Sequence, residues 1–450
     1  MALNAADRLL RLLGEGATTG PALVEALGIS QPSLSRLLKP LTQENRVLRI
    51  GSTRGARYAL RREVPGTGST WPLYRIDAAG TTHALGTLYA LAAQQYYFER
   101  SATASFPPSG LSDGLPYFLQ DQRPAGFTGR GVPARYPELG LPQRVIDWTD
   151  DHYLSYFTRH GSDAVSDLIL GEAALTEHLS QLRHRVPIEN RQQEFPRLQD
   201  AAMKGGLPGS SAHGEHPKFP ALVSDEGGAR HVLVKFSPPR ASPIGQRWSD
   251  LLIAEHLAHV TLLSAGVSAC QSRIHSFGDR AYLEVDRFDR AGIDGRIGVT
   301  SLYAIDLHHY GRLDHWIAAA ARLHADNRID SFALEQVRLV ATFGALIGNT
   351  DRHFGNLAFH DAYNGVFTLT PVYDMLPMLF APEHNQIVPR VFSPPDPTAD
   401  TLPSYATARR LAEQYWQLVA SDSRISEEFR GISASCLAAL EALPRKGAYA

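Results

Sequence analysis

Cysteine is nearly absent. The 450 residues hold two, Cys270 and Cys436, far apart and without a C-x-x-C pair. That excludes a disulfide framework and a cysteine zinc site, and it fits a reducing compartment. Long apolar runs are missing too: none approaches the roughly 20 residues of a membrane span. The opening stretch "MALNAADRLLRLLGEGATTG" lacks the apolar core and small-residue cleavage site of a signal peptide. The expectation is a cytoplasmic protein, neither exported nor inserted, with no membrane partner. Internal repeats and low-complexity tracts are absent as well. What remains is an ordinary globular composition, 44% hydrophobic and 20% charged, with chain enough for two or three domains.

Net charge is small, −2, but unevenly placed. Residues 1–62 carry ten Lys and Arg against four Asp and Glu, a net of +6, which leaves −8 for the rest. The basic end has a pattern. Leu23, Val24 and Leu27 share a short helical face, Gly28 and Ile29 make a turn, and a second helix starts with Ser30 at its N-cap and Pro32 in its first turn. That helix buries Leu34, Leu37 and Leu38 and presents Gln31, Ser33, Ser35, Arg36 and Lys39, residue types suited to base edges and phosphates. "RVLRI" and "ARYAL" then read as two strands around a turn at Gly51 to Gly55, with Arg54, Arg57, Arg61 and Arg62 close by. The segment resembles a winged helix-turn-helix binding double-stranded DNA; a helical bundle or dimerisation module with a solvated charged face would use the same residues. The Gly- and Pro-rich "RREVPGTGSTWP" predicts a linker and a domain boundary near residue 65. Beyond it, "LYRIDAAGTTHALGTLYAL" suggests a hairpin, and residues 105–143, rich in Pro and Gly, predict ordered irregular chain with few long elements.

Further along, "GGLPGSSAHGEHPKFPALV" gathers Gly205, Gly206, Gly209 and Gly214 with Ser210, Ser211 and Lys218, ahead of the alternating strand "RHVLVKFS" bearing Lys235. Glycines let backbone N–H groups approach phosphate oxygens, and a strand lysine can neutralise them. Taken by itself, this stretch reads more readily as a glycine-rich hairpin with a surface lysine. "GSSAHG" misses the serine-hydrolase G-x-S-x-G by one residue. Next, "QRWSDLLIAEHLAHVTLLSAGVS" reads as an amphipathic helix ending at Gly266, with Asp250 or Glu255 as partner for Lys235, and "RAYLEVDRFDR" is a strand leading to Asp286, Arg287, Phe288 and Asp289. Gly-rich loop, strand lysine, acidic helix and strand-to-linker segment come in the order of a kinase N-terminal lobe.

"NTDRHFGN" then spaces Asp351 and Asn356 as D-x-x-x-x-N, the interval between the aspartate that orients an attacking hydroxyl and the asparagine that binds Mg²⁺. Eighteen residues past Asn356, after the strand-like "GVFTLTPVYD", Asp374 stands where a charged metal ligand is required.

Four motifs together, S-x-x-G-x-x-x-K at Ser211, Gly214 and Lys218, "VDRFDR" at 285–290, "NTDRHFGN" at 349–356 and "LTPVYDMLP" at 369–377, make residues 205–377 resemble the HipA-type serine/threonine kinases of bacterial toxin–antitoxin modules. The fused N-terminal unit resembles their YjjJ (HipH) subgroup. The resemblance implies an α+β fold: a winged helix-turn-helix at 1–65, a kinase N-terminal lobe with a HipA-like subdomain at 66–290, and a helical C-terminal lobe at 291–450. It implies ATP and Mg²⁺, with Asp351 as catalytic base and Asn356 and Asp374 on the metal. It also implies a nucleotide site of loop residues His213, Gly214, Glu215, His216, Pro217 and Lys218, Lys235 on the phosphates, and the Asp286, Arg287 and Phe288 backbone on adenine. Asp289 would lie near the ribose, and His353 and Tyr373 would line the site. Autophosphorylation of Ser211, or of adjacent Ser210, would eject the loop and switch the enzyme off. The implied partners are a protein substrate of the aminoacyl-tRNA synthetase kind, DNA, an antitoxin and a second copy in a homodimer. His213, Glu215, His216 and Pro217 make this loop bulkier than the family's, and the DNA-binding unit is built in. Two other readings use the same residues: a small-molecule kinase of the aminoglycoside or choline type, and a nucleotide-sensing transcription regulator without catalysis.

Overall fold

The computed structural model of the chain describes residues 4–52, 55–124, 126–204, 216–361 and 364–444. Three helices come first, Ala5–Gly14, Gly20–Leu27 and Gln31–Gln43. Asn4 caps the first by accepting the Asp7 N–H at 2.8 Å. Gly28 ends the second at φ +66°, a left-handed conformation that a side chain disfavours. Ser30 takes the N-cap position of the third, but its hydroxyl lies 3.0 Å from that of Ser33 and makes no bond to a helix N–H. Leu9, Leu13, Leu23, Leu27, Leu34 and Leu38 fill the space between the helices. Strands Val47–Ile50 and Arg57–Leu60 pair antiparallel where the sequence puts them, and Thr18–Thr19 adds a third strand on the far side of Arg57–Leu60.

The stretch after this unit is not the loose linker that its glycines suggest. Val64 is 1% exposed and belongs to the core of the next unit. The Arg62 guanidinium reaches Asp151 at 2.7 Å and the Tyr96 hydroxyl at 3.0 Å, while the Ala17 N–H donates to Gln95 Oε1 at 2.8 Å. Gly66 and Gly68, at φ +73° and +92°, turn the chain back so that Gly68 pairs with Val64. Here glycine marks a tight turn rather than a flexible joint.

The second unit is a five-stranded antiparallel sheet in the order Gly110–Asp113, Gln95–Arg100, Thr82–Ala90, Thr70–Ile76, Leu168–Leu170. The expected hairpin is its centre, with Ile76 opposite Thr82. Between residues 105 and 143 only short elements occur. Helix Asp150–His160 covers the sheet with Tyr153, Leu154 and Phe157.

The third part begins with a four-stranded antiparallel sheet in the order Ser272–Phe277, Arg280–Asp286, Gly228–Phe236, Lys218–Asp225. Helix Pro243–Ser264 packs on it. The sequence suggests an amphipathic helix, but this one is buried nearly all round, because its second face meets helix Leu402–Ser421 in the large helical core of Trp248, Leu262, Phe343, Trp416 and Phe429. Each fully buried side chain of that size contributes about 1.5–3 kcal/mol. Helices Leu302–His309, Trp316–Ala325, Ser331–Leu346 and Glu427–Glu441 complete this core, with a small sheet of Val299–Ser301, Ala358–Asp361 and Phe367–Leu369.

The pinned connection makes a checkable statement. Arg62→Ala should lower the unfolding free energy by about 1–3 kcal/mol in a urea titration, since it leaves a half-buried carboxylate without its partner. Limited proteolysis should spare residues 61–72; rapid cleavage there would restore the flexible linker.

Candidate active site

The side chain of Lys235 points from strand Gly228–Phe236 into the interior and is 5% exposed. Its ammonium donates to Glu255 Oε1 and Oε2 at 2.7 and 2.8 Å and to Asp374 Oδ1 at 2.5 Å. Strand, helix and C-terminal loop therefore meet on one nitrogen. Of the two acids open as its partner, Glu255 is the one used. Asp250 instead accepts from the Ser426 N–H and hydroxyl at 2.9 and 2.6 Å, at the start of helix Glu427–Glu441. The positions differ by five residues, so they face different sides of a helix that turns every 3.6.

Electrostatics follow from this contact. Burial works against every charge in the cluster. At Lys235 the carboxylates of Asp374 and Glu255 overcome that and hold its pKa above the ordinary lysine value. At Asp374 burial is overcome by Lys235 and Lys218, which keep the carboxyl well below the usual range. Glu255 is pushed up, burial outweighing the pull of Lys235. Asp374 sits at φ +50°, left-handed backbone that aspartate tolerates better than most residues.

Helix Ser331–Leu346 ends just before the "NTDRHFGN" loop. Asp351 is exposed; burial of its carboxyl in the loop raises its pKa, opposed by His353 and reinforced by the charge of Asp374. Asn356 is buried and donates Nδ2 to the Asp351 carbonyl at 2.8 Å, an assignment that leaves Oδ1 as an acceptor. The exposed His353 accepts the Gly355 N–H at 3.0 Å, and the Tyr373 hydroxyl donates to the Gly355 carbonyl at 2.6 Å. Tyr373 packs against Phe288, ring centroids 5.4 Å apart.

The remaining site residues divide. Lys218 lies directly across the sheet from Lys235. His216 packs tilted against Trp248, ring centroids 4.5 Å apart, and is held neutral, its pKa down to about 3 through burial and then the charges of Lys235 and Lys218; Pro217 follows it, accepting the Phe236 N–H at 3.2 Å. The Asp286 and Arg287 N–H groups already donate to Gln271 and His231 carbonyls, both at 2.9 Å. Asp289, expected near the ribose, is engaged by protein groups. Its carboxylate is 4% exposed and taken up by Arg287 at 2.9 and 3.0 Å, Arg290 at 2.6 Å and the Ser166 N–H at 3.1 Å. Ser210, Ser211, His213, Gly214 and Glu215 lie outside the described residues, as does Arg54. Gln31, Ser35, Arg36, Lys39 and Arg57 are exposed on the first unit and Ser33 is half-buried.

Sequence reasoning gave no role to His259, one helical turn beyond Glu255. It is fully buried and shares the Ser272 hydroxyl with His256, at 3.1 and 2.9 Å. Burial and then the charge of Lys235 push its pKa down to about 3. A histidine inside an apolar helical pattern carries no sequence mark that separates such a role from ordinary packing.

Against known proteins, a family model described as the YjjJ-like toxin middle domain matches residues 67–179, and one described as the HipA-like C-terminal domain matches residues 210–439. Toxin YjjJ of Escherichia coli (strain K12) is 34% identical over 431 residues, 95% of this chain and 96% of that protein. Among solved structures, a chain of the Shewanella oneidensis MR-1 toxin–antitoxin complex of HipA, HipB and operator DNA aligns at TM-score 0.53 and 15% identity, covering 82% of this chain and 96% of that one. That likeness speaks for the fold alone. The Helicobacter pylori proinflammatory kinase CtkA aligns at TM-score 0.35 and 13% identity, covering 49% of this chain and 86% of that one, too weakly to bear on the fold.

His259 yields a pH prediction. Its folded pKa lies below the unfolded value of about 6.5, so its stabilising share is complete above that pH and is lost as pH falls toward about 3. Between pH 6 and pH 4, His259→Gln should flatten the fall of unfolding free energy by up to about 1.4 kcal/mol per pH unit. Urea titrations at these pH values check it; parallel curves for the two proteins would place the histidine in contact with water.

Proposed function

The chain belongs to the YjjJ-like toxin family, with a HipA-like C-terminal domain, and on that premise we propose that it is an ATP- and Mg²⁺-dependent serine/threonine protein kinase that acts as a growth-arresting toxin. The observation that carries this reading is the meeting of Lys235, Glu255 and Asp374 on one buried ammonium, beside a loop in which Asp351 and Asn356 are tied together at 2.8 Å.

The residues present fit the cofactor. Asp374 stays ionised at neutral pH and Asn356 offers an amide oxygen, a hard-oxygen pair suited to Mg²⁺, which keeps several waters. Lys235, held upright by Glu255, would contact phosphate oxygens, with Lys218 beside it. ATP supplies the phosphoryl group, and Mg²⁺ offsets its charge. Asp351 orients the acceptor hydroxyl and takes its proton, a role served by its raised pKa and exposure at the mouth of the site. Tyr373 and Phe288 form an aromatic wall behind it. Asp289, its carboxylate held by Arg287 and Arg290, would lie near the ribose. The substrate class we propose is a translation-related protein such as an aminoacyl-tRNA synthetase, with self-inactivation by phosphorylation of Ser211 or Ser210.

For the first unit we propose a winged helix-turn-helix, with helix Gln31–Gln43 presenting Gln31, Ser33, Ser35, Arg36 and Lys39 to double-stranded DNA and Arg57 on the wing. The net charge of +6 over residues 1–62 supports it. An antitoxin and a second copy on a palindromic site complete the proposed partners, and the cytoplasm the proposed compartment. Among the described residues no helix is long and apolar enough to cross a membrane.

Two measurements test the parts separately. With labelled ATP and Mg²⁺, Asp351→Asn should lower phosphoryl transfer by at least about 100-fold while nucleotide affinity holds, whereas Asp374→Asn should weaken Mg²⁺-dependent ATP binding. Undiminished phosphorylation by Asp351→Asn would remove the assignment. Arg36→Ala with Lys39→Ala should lower the log–log salt slope of duplex DNA binding by about 2, one unit per lost phosphate contact, and leave ATP binding alone; an unchanged slope would refute the DNA face.

A further inference from the structure

Asn349, two residues ahead of Asp351, is 1% exposed and uses every polar group it has. Its own N–H donates to the Gly344 carbonyl at 2.8 Å, which sets it on the end of helix Ser331–Leu346. Its carbonyl accepts from the Arg352 guanidinium. The side chain faces two loops at once. Oδ1 accepts the Asp351 N–H at 2.9 Å, and Nδ2 points at the Asp374 carbonyl at 3.4 Å and Met375 Sδ at 3.5 Å. The first bond is of ordinary length and the second is long, so the amide is held mainly by burial and by the bond to Asp351. Arg352 and Met375 close the space around it: a Cβ on Gly344 would come within 2.8 Å of Arg352 Cδ and 3.2 Å of Met375 Sδ.

We propose that Asn349 is a positioning residue that fixes the backbone of the Asp351 loop against the backbone of the Asp374 loop, so that proton acceptor and cation ligand are set by one amide. This deepens the kinase reading and rests on it. An acceptor and a donor are needed on the same short side chain. Aspartate supplies only acceptors when ionised, alanine supplies neither, and glutamine is a methylene too long for a site with no free space.

The test compares Asn349→Asp, nearly isosteric, with Asn349→Ala, in the full chain. In the ligand-free protein, hydrogen exchange at the Asp351 amide should speed up in Asn349→Ala and stay slow in Asn349→Asp, because only the second keeps an acceptor. The Mg²⁺ concentration that half-saturates ATP binding, read by calorimetry, should rise roughly 10- to 100-fold in both, since neither can donate to the Asp374 carbonyl. A native Mg²⁺ midpoint in Asn349→Asp, or an Asp351 amide that exchanges equally in native protein and Asn349→Ala, overturns the proposal. If Asn349→Ala does not fold, the Mg²⁺ midpoint of Asn349→Asp decides alone. Native protein that binds Mg²⁺ and ATP but transfers no phosphate would defeat the kinase reading while exchange and binding still judge Asn349.

Discussion

A buried ammonium needs compensating charge, since an unpaired ion in the interior costs several kcal/mol. Lys235 meets that need with two carboxylates drawn from opposite sides of the cleft. Glu255 comes from a helix whose far side is locked into the C-terminal core, and Asp374 from a loop whose neighbour Val372 exchanges backbone bonds with Ser268 and Cys270 at 3.0 and 2.9 Å. The ion cluster therefore forms only when sheet, helix and loop are in register. Site geometry and lobe assembly are one constraint.

The second unit braces that arrangement from behind. Asp163 and Ser166 hold the segment that leaves the four-stranded sheet, through Arg290 at 2.8 Å and the Val299 N–H at 2.9 Å, while Asp121 accepts from the Ser301 N–H and hydroxyl at 2.6 and 2.5 Å where the C-terminal helices begin. One unit thus grips both ends of the connection between the lobes. The grip has an electrostatic cost. Arg296 is 1% exposed with a carbonyl and His178 as its hydrogen-bond partners, and burial followed by the charge of Arg290 lowers its pKa to about 9.

Where chemistry demands fixed spacing, the sequence was readable. Asp351, Asn356, Asp374 and Lys235, singled out by their spacing, come together in the structure, and helix Gln31–Gln43 forms where its leucines, proline and preceding glycine place it. Long-range choices were not readable. Glu255 and Asp250 are equal as residue types, and only the packing of helix Pro243–Ser264 between sheet and helices tells them apart. Asp289 has both of its arginines, Arg287 and Arg290, inside "VDRFDR", but the Ser166 N–H that also holds it comes from 123 residues away. Likewise the glycines after residue 65 have the composition of a linker, and Val64 becomes a core residue only through the sheet it joins. Asn349 stood in the quoted motif without a role, because its two contacts lie in different loops.

On the proposed reading, the ammonium of Lys235 shared by Glu255 and Asp374 would also organise a nucleotide site. Calorimetric titration of a non-hydrolysable ATP analogue with Mg²⁺ into native protein and Lys235→Met, with folding of both checked by circular dichroism, tests it most directly. The account predicts one site per chain in the native protein and affinity lower by at least about tenfold, or 1.4 kcal/mol, in the folded variant. Equal affinity in the two proteins would contradict it.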